Sequence, residues 1–236
     1  MPRRMVSKEM SVEAKREGSS ESLAGRSGTL ALWEIASVVS SFLIAEWMVL
    51  PFAANSKLVA AFPIGLAFAL MLFSHRAHQE TAREIGWRLD NFWQAVRLLV
   101  LPMLAAAVLI VGVGGLKKSL RFDGRQMLEW ALWLPLWGLM QQYVLQGFVN
   151  RRAQMVFGRG WRSVLLVALV FALLHFPNPW LALATFAGGL IWAYVYQHAP
   201  NLIALAISHA LMSMLLAVSL PASLINSLRV GIKYFG

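Results

Sequence analysis

The chain has 236 residues, 58% of them hydrophobic and only 14% charged, with a formal net charge of +10. A soluble domain is about 25% charged, so most of this chain is solvated by lipid. The basic residues sit between long apolar runs rather than in one patch, as in loops facing anionic headgroups, and this excludes a nucleic-acid partner. The absence of cysteine removes disulfides, thiolate metal sites and a cysteine nucleophile.

Residues 1–28 are polar, rich in Ser and Gly, and carry Arg3, Arg4, Lys8, Lys15, Arg16 and Arg26. They read as a disordered cytoplasmic tail without the apolar core of a signal peptide. Residues 29–126 read as N-terminal transmembrane helices. Crossing a bilayer takes about 20 apolar residues, and the first two spans are expected at 29–52 and 58–74. Residues 75–94 alternate charge with Ile85, Trp87, Leu89, Phe92 and Trp93. That pattern predicts an amphipathic segment at the interface. A third span follows at 95–115, then a basic connection at 117–125.

Residues 127–220 form the second unit. Spans are expected at 127–150, 161–176, 180–197 and 200–219, punctuated by Arg151, Arg152, Pro177, Pro179 and Pro200. Residues 221–236 read as a tail or short eighth helix. The fold class is an all-α polytopic bundle of seven to eight spans. With the N-terminus inside, 14 of the 21 Lys and Arg fall on the cytoplasmic side, in line with the positive-inside bias. A bacterial inner membrane is the expected location.

Polar side chains inside spans are costly and turn toward a bundle interior or cavity. Gln142, Gln146 and Asn150 form an i, i+4, i+8 stripe beside Gln141. His175 lies one turn after Phe171, and His209 and Ser213 lie one turn apart. At 1.5 Å per residue, Gln142 and His209 sit roughly 14 Å and His175 roughly 20 Å from their cytoplasmic span ends. Three helices thereby bring polar groups to one layer. Helix-to-helix hydrogen bonding explains a Gln stripe alone, but two histidines at matched depth favour a site. Glu34 and Glu46 of the first span are twelve residues apart, which does not favour one shared face and leaves open whether either pairs with Arg or faces the cavity.

The stretch from 128 to 220 resembles the CAAX protease and bacteriocin-processing (CPBP, or Abi) family of intramembrane peptidases. The family's Phe-x-x-x-His motif is present as Phe171-Ala-Leu-Leu-His175, and its His-x-x-x-polar motif as His209-Ala-Leu-Met-Ser213. The family's first motif, Glu-Glu-x-x-x-Arg, is altered: Gln141 and Gln142 replace both glutamates and Gln146 replaces the arginine. The resemblance implies a four-helix catalytic core and a site drawn from Gln141, Gln142, Gln146, Phe171, His175, His209 and Ser213. It also implies a membrane-anchored protein or peptide as substrate.

A carboxylate accepts a proton from water, whereas a neutral amide only orients water or donates to an oxyanion. Two readings follow. One is an endopeptidase in which His175 or His209 activates water. The other is an inactive relative that binds a membrane-anchored or lipidated partner in the same cavity. If a divalent metal such as zinc is used, His175 and His209 are its ligands, although catalytic zinc usually takes three protein ligands.

Overall fold

A computed structural model of the chain describes residues 27–49, 52 and 57–236. Helix α1 spans Ser27–Val49, its last turn widened to a π-helix over Ala45–Val49. Residues 1–26 of the expected tail lie outside the described residues, and helix has already begun at Ser27. Helix α2 runs Lys57–Ala77. The segment expected to be amphipathic is the end of α2, a turn, and a four-residue helix α3, Ala82–Ile85. Thr81 and Glu84 close a reciprocal capping box on α3.

Helix α4, Phe92–Leu116, is the most apolar of the long helices. Helix α5 starts at Gly124, capped by Asp123, whose side chain accepts from Arg125 and Gln126 N–H. It continues without a break through a π-helical stretch, Tyr143–Asn150, and an α-helical end, Arg151–Phe157. Helix α6 is Trp161–Leu173, α7 is Pro179–His198 and α8 is Leu202–Ser219. Asn178 before Pro179 and Asn201 after Pro200 cap the last two, as Asn at N-cap and Pro at N1 dictate. A short helix α9, Ala222–Ile225, and two 3-10 turns, Asn226–Leu228 and Gly231–Tyr234, end the chain. The described residues contain no strand.

Helix α8 lies between α5 and α4, and α6 packs along α7. Two glycines set these crossings. A Cβ on Gly138 would stand 2.9 Å from the Ala206 carbonyl of α8, and one on Gly189 would stand 2.9 Å from Ala168 Cα of α6. Such backbone approach is how helices bind without a hydrophobic driving force between them. Gly188, next to Gly189, faces Trp192 of its own helix. Phe148, Phe171, Leu145, Leu202 and Leu205 fill the centre. Leu101, Val108 and Leu132 point outward, each more than two-thirds exposed. A surface so apolar is stable only against lipid, and the chain is an integral membrane protein.

Among the described residues four helices are long and apolar enough to cross a bilayer: α1, α4, α7 and α8. The shorter apolar stretches, 61–77 of α2 and all of α6, fall below that length. Helix α5 is long enough, but Gln141, Gln142, Gln146 and Asn150 reduce its apolar character. Helix α6 also ends earlier than the expected span 161–176. Leu173 is its last residue, and His175 lies in the hydrogen-bonded turn that follows.

Candidate active site

The Gln stripe of α5 divides between two environments. Gln142, fully buried, donates from Nε2 to Nδ1 of His209 at 3.1 Å. Gln146, one turn on, is also buried and is bonded within its own helix. Its Oε1 accepts from Asn150 Nδ2 at 2.8 Å, and the same Asn150 amide donates to the Ala193 carbonyl at 3.2 Å. Asn150 Oδ1 accepts from Gln197, which in turn donates to Ser163 at 2.8 Å. These amides tie α5, α6 and α7 together below the histidines. The stretch that carries them is π-helical, a geometry found often at functional sites.

Both histidine rings are fixed by aromatic contacts. His209 stacks on Trp192 with ring centres 4.7 Å apart, and the edge of Phe171 is 5.7 Å away. Trp192 is held in turn by its Nε1–H, which donates to Ser208 Oγ at 2.8 Å. His175 meets Phe171 edge-on at 4.7 Å. Its Nδ1 donates to the Phe171 carbonyl at 2.8 Å.

These partners assign the tautomers. A carbonyl only accepts, so His175 carries its proton on Nδ1 and presents a basic lone pair at Nε2. The Gln142 amide donates to His209 Nδ1, so His209 carries its proton on Nε2 and presents a donor. One ring is a base and the other an electrophile, both packed on the same phenyl ring.

The two rings open on a cavity of about 450 Å³ that Gln141, Phe171, Trp192 and Ser213 also line. A second cavity, about 230 Å³, shares Gln141, Phe171 and His175 with the first and adds Glu46 from α1. Three amide atoms of the stripe are buried with no partner: Gln141 Oε1, Gln142 Oε1 and Gln146 Nε2. Unpartnered buried polar atoms are costly and rare. Gln141 lines both cavities, where such an atom marks a place for water or a ligand. The structure therefore brings Gln141, Gln142, Phe171, His175, His209 and Ser213 to one site, and sends Gln146 to the amide ladder beside it.

The donor set does not suit a metal. Among the described residues no group of three His, Cys, Asp or Glu comes together to hold one. His209 Nδ1 already accepts from Gln142 and His175 Nδ1 is protonated, which leaves fewer than the three ligands of a catalytic zinc.

The two glutamates of α1 separate. Glu34 Oε2 lies 2.7 Å from Arg152 Nε, while Glu46 faces the second cavity. Helical spacing carries the signal: Phe42, Ala45 and Glu46 stand at i, i+3 and i+4, and all three line that cavity. His75, expected at the interface, is buried instead, with Nδ1 2.5 Å from Glu80.

Residues 123–215, which comprise α5 to most of α8, match the family model described as type II CAAX prenyl endopeptidase Rce1-like. No curated protein and no solved structure matches the chain. The matched residues are those that carry the two histidines, Phe171 and the Gln stripe, and over this core the chain is similar to that family.

Proposed function

We propose that this protein is an intramembrane endopeptidase that hydrolyses a peptide bond in a membrane-associated protein. We place it in a bacterial inner membrane with its N-terminus in the cytoplasm. The observation that carries the reading is the pair of complementary histidines on Phe171. Water hydrogen-bonded to Nε2 of His175 attacks the scissile carbonyl as its proton is drawn to that nitrogen. The oxygen that becomes an oxyanion is met by the Nε2–H of His209, oriented in advance by Gln142 and Trp192. The cavity volume is in the range of small-ligand sites, and its largely apolar wall suits a prenyl chain or apolar side chains at a substrate's C-terminus.

A second reading draws on the first motif. Without a glutamate at 141 or 142, the same cavity would hold a lipidated partner without cleaving it. The test is cleavage of apolar C-terminal peptides, prenylated and free, by the purified protein in liposomes. The peptidase reading expects turnover that His175→Ala and His209→Ala each reduce by about 100-fold or more. A parent that binds these peptides without cleaving them, and gains turnover with Gln142→Glu and Gln146→Arg together, establishes the binding reading instead.

A further inference from the structure

A histidine acting as a base in an apolar cavity becomes an imidazolium, and an unpaired buried charge is strongly disfavoured. In the family that this core resembles, the first motif carries two glutamates; here the same positions, Gln141 and Gln142, supply only amides. Among the described residues that line the two cavities, the titratable groups are His175, His209 and Glu46. Only Glu46 is acidic, and it comes from α1, outside the segment that matches the family.

The position of Glu46 is built rather than incidental. Gly231 packs against it so closely that a Cβ there would stand 2.4 Å from Glu46 Cγ, and Gly231 has φ +57°. The Gly231 N–H donates to the carbonyl of Phe176, the residue after His175, at 2.8 Å. Buried Asn178 donates from Nδ2 to the Ile225 carbonyl at 2.7 Å and to the Arg229 carbonyl at 3.1 Å. The C-terminal turn thus holds the α1 carboxylate and the His175 turn against each other.

The depths agree as well. Glu34 meets Arg152 at one end of the bundle. Glu46 lies about 18 Å further along α1 and Gln141 about 16 Å back along α5, so both reach the same level. Lys233 is the basic residue of the same C-terminal turn. It is exposed and forms no ion pair with Glu46 within 4 Å, so solvent weakens its hold. A cavity of about 230 Å³ has room for several waters at roughly 30 Å³ each.

We propose that Glu46 replaces the missing carboxylate of the first motif, as the charge partner of His175. The inference rests on the peptidase reading for its consequence, though not for its geometry. As the water oxygen bonds to the carbonyl carbon, the carbonyl π pair moves to oxygen. The water proton passes to His175 Nε2, and Glu46 balances the imidazolium across the cavity. When the oxyanion collapses, the C–N bond breaks and that proton leaves on the amine, which restores neutral His175. Glu46 is a positioning residue in this scheme: it acts through His175 and touches no substrate atom.

The test compares Glu46→Gln, Glu46→Asp and Lys233→Met in the full chain in liposomes. The expected result is a kcat about 100-fold lower for Glu46→Gln, an unchanged KM, and an acidic limb of the pH–rate profile moved to lower pH. Glu46→Asp recovers part of the rate, and Lys233→Met matches the parent. Parent-like kcat in Glu46→Gln, with His175→Ala inactive, overturns the role of Glu46 and leaves the peptidase reading standing. If the parent cleaves nothing, the peptidase reading fails, and labelling by diethyl pyrocarbonate decides the pairing. Mass spectrometry then reads the pH at which His175 is half-labelled. A fall of about one unit in Glu46→Gln supports the pair, and no movement overturns it.

Discussion

Two polar regions share helix α5 and differ in the charge of their groups. At the Arg151–Arg152 end the contacts are ionic. Arg152, with no exposed surface, donates from both Nη atoms to the Glu80 carboxylate at 2.9 Å and from Nη2 to Ser74 Oγ at 2.8 Å. Glu34 lies against its Nε, and Arg151 and His75 each reach Glu80 at 2.5 Å. About 15 Å along α5, the Gln142 layer carries no charge of its own and abuts a cavity that Gln141 and His209 line. An ionic cluster braces helices; a neutral layer beside a cavity leaves room for something that arrives later. Arg152 joins α1, α2 and the α2–α3 turn to the family core, and the α1 that it anchors is the helix that presents Glu46.

The largest break in this comparison should come from Arg152→Ala. It removes the partner that Glu34 and Glu80 share and leaves Glu80 only Arg151 and His75, a loss of about 3–5 kcal/mol, measurable as unfolding in detergent. Arg152→Met combined with Glu34→Gln and Glu80→Gln should cost less, because the charge that then loses its carboxylate, Arg151, is partly exposed. A triple variant as unstable as Arg152→Ala would show that the cluster is not an electrostatic brace.

The same cluster should set the acid limit of the protein. Burial alone would raise the Glu80 carboxyl, but hydrogen bonds from His75, Arg152 and Arg151 outweigh it and hold it well below its ordinary value of 4.5. A group depressed by folding contributes stability above its unfolded value, and that contribution drains as pH falls toward the folded value. Unfolding free energy should therefore decline as pH drops below about 4.5, and Glu80→Gln should flatten this decline. An equally steep decline in Glu80→Gln would assign acid sensitivity elsewhere.

In the neutral layer the effects should be smaller. Gln142→Ala removes the donor to His209 Nδ1 and leaves a buried acceptor without a partner, about 1–3 kcal/mol. It should also lower turnover, since His209 loses the contact that fixes its tautomer. Intact turnover would mean that Trp192 stacking alone orients the ring.

The sequence made part of this contrast legible. His175, His209 and Gln142 could be placed at one depth from the rise per residue, and Asn178-Pro179 and Pro200-Asn201 marked the starts of α7 and α8. These are local signals. The roles of Glu34 and Glu46 were not readable, because Arg152 and Gly231, which distinguish them, lie over a hundred residues away. Gln146 looked like part of the site because an i, i+4 stripe assumes regular α-helix. Here that stretch is π-helical, and Gln146 bonds Asn150 of its own helix and lines neither cavity. The end of α6 at Leu173 was hidden because the apolar run continues to Phe176, and only the Nδ1 bond of His175 shows how the turn is used.

Gln146→Met should have the smallest effect, and it is the sharpest test of the division within the stripe. Gln146 Nε2 has no partner, and its Oε1 accepts only from Asn150 Nδ2. That Asn150 amide keeps the Ala193 carbonyl after the substitution. Methionine has similar length and no branch, so it fills the same space while removing an unpartnered donor. Stability should change by less than about 1 kcal/mol, toward neutral or stabilising, with turnover unchanged. Should Gln146→Met instead cost as much as Gln142→Ala in both unfolding and turnover, the orphaned amide of Gln146 would have to meet water continuous with the cavity. The active layer would then extend a full turn further along α5, toward the Arg152 cluster.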